Sequence, residues 1–268
     1  MMAPRLVGIV NITTDSFSDG GRFLNPEAAI AHARSLHAAG ADIVELGPSS
    51  SHPDAEQVSP TEEIRRLAEV LDQLVADGIP VAVDSLHADT QRYAAARGAT
   101  YLNDIQGFPD SDRYEELAGL SCRLVVMHSV QRRGPATRAA TDPQAVWPEV
   151  ERFFADRLAA LVAAGISRDR LIIDPGLGYF LGSNPEPSLA MMAALGELKA
   201  RFGLPVLISP SRKSFLRALT GSGLAAIGPA TLAAELYAAS QGVDFIRTHD
   251  VAAIRDALTV FDALNRLR

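Results

Sequence analysis

Residues 79–104 read IPVAVDSLHADTQRYAAARGATYLND. A short apolar run at 81–85 gives way to an alanine-rich stretch at 89–97 with helical spacing, and a second apolar run follows at 101–104. The first run ends in Asp84 and the second in Asn103 and Asp104. Working outward, the same alternation occurs eight times. Strands are expected at 6–11, 42–47, 81–85, 101–104, 124–128, 171–174, 205–209 and 245–248, with helical patterns at 26–39, 61–76, 89–97, 146–164, 187–202, 229–240 and 251–264. Pro26, Pro187 and Pro229 sit at first turns, and Gly40, Gly165, Gly203 and Gly242 follow last turns, which are the residue types that open and close helices.

Strands that are apolar nearly throughout, and separated by helices, imply a parallel sheet covered on both faces. Eight such units in 268 residues fit one α/β domain, a closed (β/α)8 TIM barrel with its active site at the C-terminal strand ends; a doubly wound open sheet is the alternative. No linker or low-complexity tract divides 1–268. The net charge of −7, with no long basic run, argues against nucleic acid as a partner. No apolar run approaches the roughly 18 residues of a membrane span, and 6–10 is too short for a signal peptide, so a cytoplasmic protein is expected. The lone Cys122 excludes an internal disulfide and reads as a small buried hydrophobe.

Nearly every expected strand ends in a polar group: Asn11, Gly47 before a serine cluster, Asp84, Asn103 with Asp104, His128, Asp174, Ser209 and Arg247 with His249. Asp84, Asn103 and Asp174 would converge on the barrel mouth. Carboxylates there need a cation or a ligand rich in N–H groups, such as a heterocycle whose ring N–H and exocyclic amine one carboxylate accepts together. The alternative is that each aspartate caps the following helix. The segment 211–214, SRKS, opens a helix, whose free N–H groups favour anions, and Lys213 adds a cation beside it; a Schiff-base role for Lys213 is the rival. Arg247 and His249 point the same way by the period of two and suit a phosphate, or else Arg247 pairs with Asp250. The polar loop at 11–21 reads as a lid, with Asn11 a hard oxygen ligand for Mg2+.

Taken in order, NITTDSFSDGG (11–21), GADIVELG (40–47), VDS (83–85), NDIQGF (103–108), VMHS (126–129), IDPGLG (173–178), SRKS (211–214) and RTHDV (247–251) resemble the dihydropteroate synthases across almost the whole chain. That resemblance implies a Mg2+-dependent transferase. It joins 6-hydroxymethyl-7,8-dihydropterin pyrophosphate to p-aminobenzoate in folate biosynthesis, and the family's usual state is a homodimer. Carried over by position, Asp84, Asn103, Asp174, Lys213 and Met127 would hold the pterin. Asn11, Arg247 and His249 would hold the pyrophosphate, Asn11 with the Mg2+. Lys213, Arg247, His249, Asp84 and Asp15 form the implied catalytic group, and Ser214 would receive the aminobenzoate carboxylate.

Two stretches depart from the family pattern. After the second strand, where most members read Gly-Gly-Glu-Ser-Thr-Arg-Pro, this chain reads GPSSSHP (47–53), placing Ser51, His52 and Pro53 at the aminobenzoate site. After the sixth strand it reads GYFLG (178–182), about two residues longer than usual, bringing Tyr179 and Phe180 to the same site. Both stretches are similar to the sulfonamide-insensitive synthases carried as resistance determinants, in which the added bulk admits p-aminobenzoate and excludes the drugs. A non-catalytic pterin-binding homologue and a pterin-dependent methyltransferase module are the competing readings.

Overall fold

The computed structural model describes residues 3–13 and 24–266. Asp15 lies outside them, as does most of the 11–21 lid.

Eight parallel strands are hydrogen-bonded in the order β6-β5-β4-β3-β2-β1-β8-β7. They are β1 (Arg5–Asn11), β2 (Ile43–Gly47), β3 (Val81–Asp84), β4 (Tyr101–Asp104), β5 (Arg123–Met127), β6 (Leu171–Asp174), β7 (Leu207–Ile208) and β8 (Phe245–Thr248). Between β6 and β7 the seam is closed by an Ile173–Val206 bridge and by the Ile173 N–H donating to Pro205 O at 3.0 Å. The sheet is therefore a barrel, and the open-sheet alternative falls. β7 is shorter than the expected 205–209 because Pro205 has no N–H and the Val206 N–H is taken by Asp244 Oδ2 at 2.9 Å.

The helices are α1 (Pro26–Ala38), α2 (Pro60–Ala76), α3 (Ala88–Ala96), α4 (Tyr114–Gly119), α5 (Pro143–Ala163), α6 (Glu186–Ala193), α7 (Leu195–Phe202), α8 (Ser214–Thr220), α9 (Gly228–Ser240) and α10 (Val251–Asn265). Asn25, Ser59 and Asp142 cap α1, α2 and α5 through their side chains, each followed by a proline at the first helical position. Two of these pairs, Ser59-Pro60 and Asp142-Pro143, precede the apolar period, so α2 and α5 begin before the 61 and 146 that periodicity alone suggests. The expected single helix 187–202 is two, because Ala194 leaves helical geometry with ψ near 4°. The short α4 has no periodic mark in the sequence, since six residues are too few to show a period. Among the described residues, no helix is long and apolar enough to cross a membrane.

Strand residues alternate between two cores. Leu6, Val10, Val44, Leu46, Leu102 and Leu124 face the helices. Val7, Ile43, Ala82, Tyr101, Val125, Ile172, Leu207 and Phe245 fill the barrel interior, with the Arg5 guanidinium over Tyr101 and Phe245 at its closed end. Cys122 is buried and donates to Ala99 O, as a small core residue would.

Candidate active site

Two residues beyond each member of that apolar layer, the same strand face carries Ile9, Glu45, Asp84, Asn103, Met127, Asp174, Ser209 and Arg247. A layer that barrels ordinarily fill with branched apolar side chains is polar at six of eight positions here. Asp84, Asn103, Met127, Asp174, Lys213 and Arg247 line one cavity of about 350 Å3. It adjoins a wider one of about 920 Å3, lined by Asn11, Ser51, His52, Pro53, Tyr179, Phe180, Ser214, Arg247 and His249 among others. Apart from Asp15, every residue singled out from the sequence as a site residue lines one of these two cavities.

The charges are arranged tightly. Arg247 Nε pairs with Glu45, and its Nη2 with Asp84 Oδ2 at 3.2 Å. The alternative pairing with Asp250 is not formed, since Asp250 Oδ1 accepts from the Ala253 N–H at the start of α10. Burial, reinforced by the charge of Glu45, pushes Asp84 up to about 7 against the pull of Arg247 and Lys213. Asp174 is raised to about 6 by burial, moderated by the Gly176 N–H that its Oδ1 accepts at 2.8 Å. Gly176 is required for that turn: its φ is +73°, and a Cβ there would stand 2.5 Å from His128 O. Neither Asp84 nor Asp174 caps a helix.

Lys213 stands at the residue before α8, its ammonium 4.8 Å from the Phe180 ring centre, and burial with the neighbouring Arg247 lowers it to about 8. His249 is held well below its usual value, chiefly by burial and then by Arg212 and Arg247. Its imidazole is therefore neutral. Nδ1 lies 2.9 Å from Ser211 Oγ, which also accepts the His249 backbone N–H at 3.3 Å. With the Ser211 hydroxyl proton turned to Nδ1, Nε2–H remains as the ring's donor, and His249 lines the outer cavity.

The extended 178–182 turn is pinned from two sides. Ser188 Oγ accepts the Gly178 N–H at 2.9 Å, and Phe180 O accepts the Val130 N–H at 2.9 Å. Phe180 is 5% exposed and packs with Ile105, Met127 and Ala136. Tyr179 meets the edge of His52 at 5.7 Å and lies under Arg138, which also pairs with Asp54. The loop after β2 and the loop after β6 thus form one wall.

His128, one of the polar strand-end residues, does not enter the site. Its phase along β5 is opposite to that of Met127, and it is buried against Phe153 with Nδ1 3.2 Å from Pro175 O. Asp104 likewise turns outward, accepting from Gln91 Nε2 and the Gln106 N–H. Sequence reasoning missed Glu45. Only its place two residues beyond Ile43 in the barrel layer marks it as inward.

Residues 7–249 match the pterin binding enzyme family. A dihydropteroate synthase type-2 of Escherichia coli is 58% identical over 259 residues, covering 97% of this chain and 95% of that protein. A Xanthomonas albilineans dihydropteroate synthase solved with 4-aminobenzoic acid superposes with a TM-score of 0.88 at 39% identity, covering 98% of this chain and 93% of the other. The same enzyme in complex with 7,8-dihydropteroate gives 0.84 at 37%, covering 98% and 94%. With family, relatives and fold agreeing over nearly the full length, the chain belongs to the dihydropteroate synthases.

Proposed function

We propose that this chain condenses 6-hydroxymethyl-7,8-dihydropterin pyrophosphate with p-aminobenzoate, giving 7,8-dihydropteroate and pyrophosphate, and that sulfonamides inhibit it poorly. The observation that carries the reaction is the polar layer inside the barrel. Asp84 and Asp174 present carboxylates, Asn103 an amide oxygen with no hydrogen-bond partner among the described residues, and Lys213 a cation, around the inner cavity. A dihydropterin edge offers ring N–H and exocyclic amine donors to those acceptors. The relatives solved with 4-aminobenzoic acid and with 7,8-dihydropteroate support p-aminobenzoate as a substrate and 7,8-dihydropteroate as the product.

The C–O bond between the pterin methylene and the pyrophosphate breaks, leaving a carbocation stabilised by the electron-rich dihydropterin. The arylamine nitrogen attacks that carbon, forms the C–N bond and loses a proton. Arg247 and the Nε2–H of His249 take up charge on the departing pyrophosphate. The wall formed by the loops after β2 and β6 keeps water from the cation. Ser214 lines the outer cavity where the aminobenzoate carboxylate would lie.

Mg2+ fits this site. Asn11 supplies a hard oxygen beside Arg247 and His249, and residue 47 is glycine, where a Cβ would stand 3.4 Å from Asn11 Oδ1. Mg2+ ordinarily takes one or two protein ligands and completes its shell with water and phosphate. When bound it would supply charge neutralisation at the pyrophosphate.

Poor sulfonamide binding rests on Phe180 and Tyr179, which line the outer cavity together with Ser51 and His52. Exposed Tyr237, Val260 and Leu264 on α9 and α10 suit a homodimer face, which light scattering at protomer mass would refute. A cytoplasmic location accords with these soluble substrates.

The test is pyrophosphate release from both substrates with Mg2+, with EDTA, and with excess sulfamethoxazole. Turnover that needs Mg2+ and survives the drug supports every part. Drug-abolished turnover removes only the insensitivity, and EDTA-resistant turnover removes only the metal. No turnover would leave a pterin-binding homologue.

A further inference from the structure

Glu45 is the one carboxylate of the polar layer that carries no part of the reaction described above. It is 1% exposed and lies mid-strand on β2 rather than at a strand end, so it cannot swing with a loop. Its two oxygens are both used. Oε1 pairs with Arg247 Nε, and Oε2 accepts from Asn103 Nδ2 at 3.1 Å. Asn103 lies two strands away, with β3 between. In the β2–β3 register Glu45 stands opposite Ala82, the only small side chain in an interior layer of otherwise bulky residues, and both line the same small cavity. The gap over Ala82 lets the longer acidic side chain cross β3 and reach β4.

The consequence lies at Asn103. An amide turned over by 180° presents NH2 where it presented oxygen, with almost no change in shape. A carboxylate, however, accepts hydrogen bonds and donates none. Asn103 lines the inner cavity; by holding Nδ2, Glu45 fixes which way the amide is turned, and its buried Oδ1 has no hydrogen-bond partner among the described residues. The same residue holds the Arg247 guanidinium in place alongside Asp84.

We propose that Glu45 is a positioning residue for pterin specificity: it fixes the Asn103 amide so that the inner cavity presents acceptors to a donor-rich ring edge. The proposal rests on the pterin-binding role assigned to that cavity. A ring edge bearing a carbonyl where the pterin bears N–H would meet Asn103 Oδ1 without a donor, and would be rejected.

Glu45→Gln keeps the length and removes the charge. A glutamine can offer NH2 to Arg247 or to Asn103, but cannot accept from both as the carboxylate does. In the wild-type enzyme, turnover and the KM of each substrate are measured first; absent turnover there is a failure of the catalytic reading, not of this one. Given wild-type turnover, E45Q should raise KM for the pterin pyrophosphate at least tenfold and leave KM for p-aminobenzoate within twofold. In an Asn103→Ala background the same substitution should raise the pterin KM at least threefold less than it does in the wild-type background, the remainder being the part that runs through Arg247. A folded E45Q with unchanged pterin KM overturns the proposal, as does an equal rise in both KM values or full additivity with Asn103→Ala. Should E45Q fail to fold, Glu45→Asp keeps the charge but withdraws the carboxylate by one methylene from Asn103. It should show the same selective rise, and an unchanged KM there overturns the proposal equally.

Discussion

Replacing Phe180 with alanine separates the wall of the outer cavity from its floor. The ring belongs to a satellite cluster at the barrel mouth with Ile105, Met127 and Ala136, not to the main core, and one side faces the cavity of about 920 Å3. Truncating a buried phenylalanine costs about 3–5 kcal/mol, and a site that solvent can refill belongs at the low end. The lost contact with the Lys213 ammonium, 4.8 Å from the ring centre, is part of the about 0.5–2 kcal/mol typical of such pairs. The variant should therefore fold with stability lowered by about 3 kcal/mol, which urea unfolding reads. Its functional effect is read separately, in drug inhibition. Forcing extra atoms into a packed site costs about 1–3 kcal/mol. If the sulfonyl group is refused by that overlap, removing Phe180 should lower the inhibitory concentration of sulfamethoxazole roughly 5- to 150-fold, at about 1.4 kcal/mol per tenfold. KM for p-aminobenzoate should move less than tenfold, since the natural substrate already fits. Pyrophosphate release titrated with drug decides the matter. A folded Phe180→Ala enzyme with unchanged KM and undiminished drug tolerance would show that the ring is not the excluding group.

Two further expectations concern charge. The pH profile of kcat/KM for the pterin pyrophosphate should fall below about 7 as Asp84 takes up a proton, and above about 8 as Lys213 loses one; a flat profile from 5.5 to 7.5 refutes the first limb. His249→Ala removes a neutral donor aimed at the leaving group and should lower kcat about 100-fold, the lower end for loss of one preorganised donor, with KM for p-aminobenzoate unchanged; a loss under threefold in single-turnover kinetics contradicts that role.

Most of the barrel is legible because each strand is a short apolar run set off from an alanine-rich period. The site is legible because polar residues accumulate where those runs end. What the ends alone do not reveal is phase. Asn103 and Asp104 are neighbours, yet only Asn103 lies two residues beyond an interior residue, Tyr101, and Asp104 turns outward to Gln91. His128 fails for the same reason one residue past Met127, and is buried against Phe153. Glu45 is the converse case. An acid inside an apolar run looks like an exposed position of an alternating strand, and only closure of the barrel places it inside, where Arg247 and Asn103 neutralise and bond it. The split of 187–202 is not marked at Ala194 itself, since alanine is the best helix former; the nearest cue is Gly196, two residues on.

The polar layer also sets activity against stability in a way that can be measured. The fold rests on the apolar layer beneath and on the outer core, so the acids above them are retained at a cost. Asp174 ionises at about 6 in the folded protein and at about 3.9 unfolded, which corresponds to roughly 3 kcal/mol of unfavourable ionisation at pH 8. The sign follows from proton uptake. Because the folded value is raised, the contribution of this group is most favourable below about 4 and is lost as pH rises through 6. Asparagine resembles the protonated acid and can keep the bond from the Gly176 N–H, so Asp174→Asn should be more stable than wild type at pH 8, by at most roughly 3 kcal/mol. The gap should close as pH falls towards 4. Lys213 would lose one of the charges that supports it, so the alkaline limb of activity should move to lower pH in the same variant. An Asp174→Asn protein less stable than wild type at pH 8, or a gap independent of pH, would mean that the carboxylate is a net stabilising partner of Lys213. A more stable, weakly active variant would show that the barrel carries its pterin acceptors against its own folding free energy.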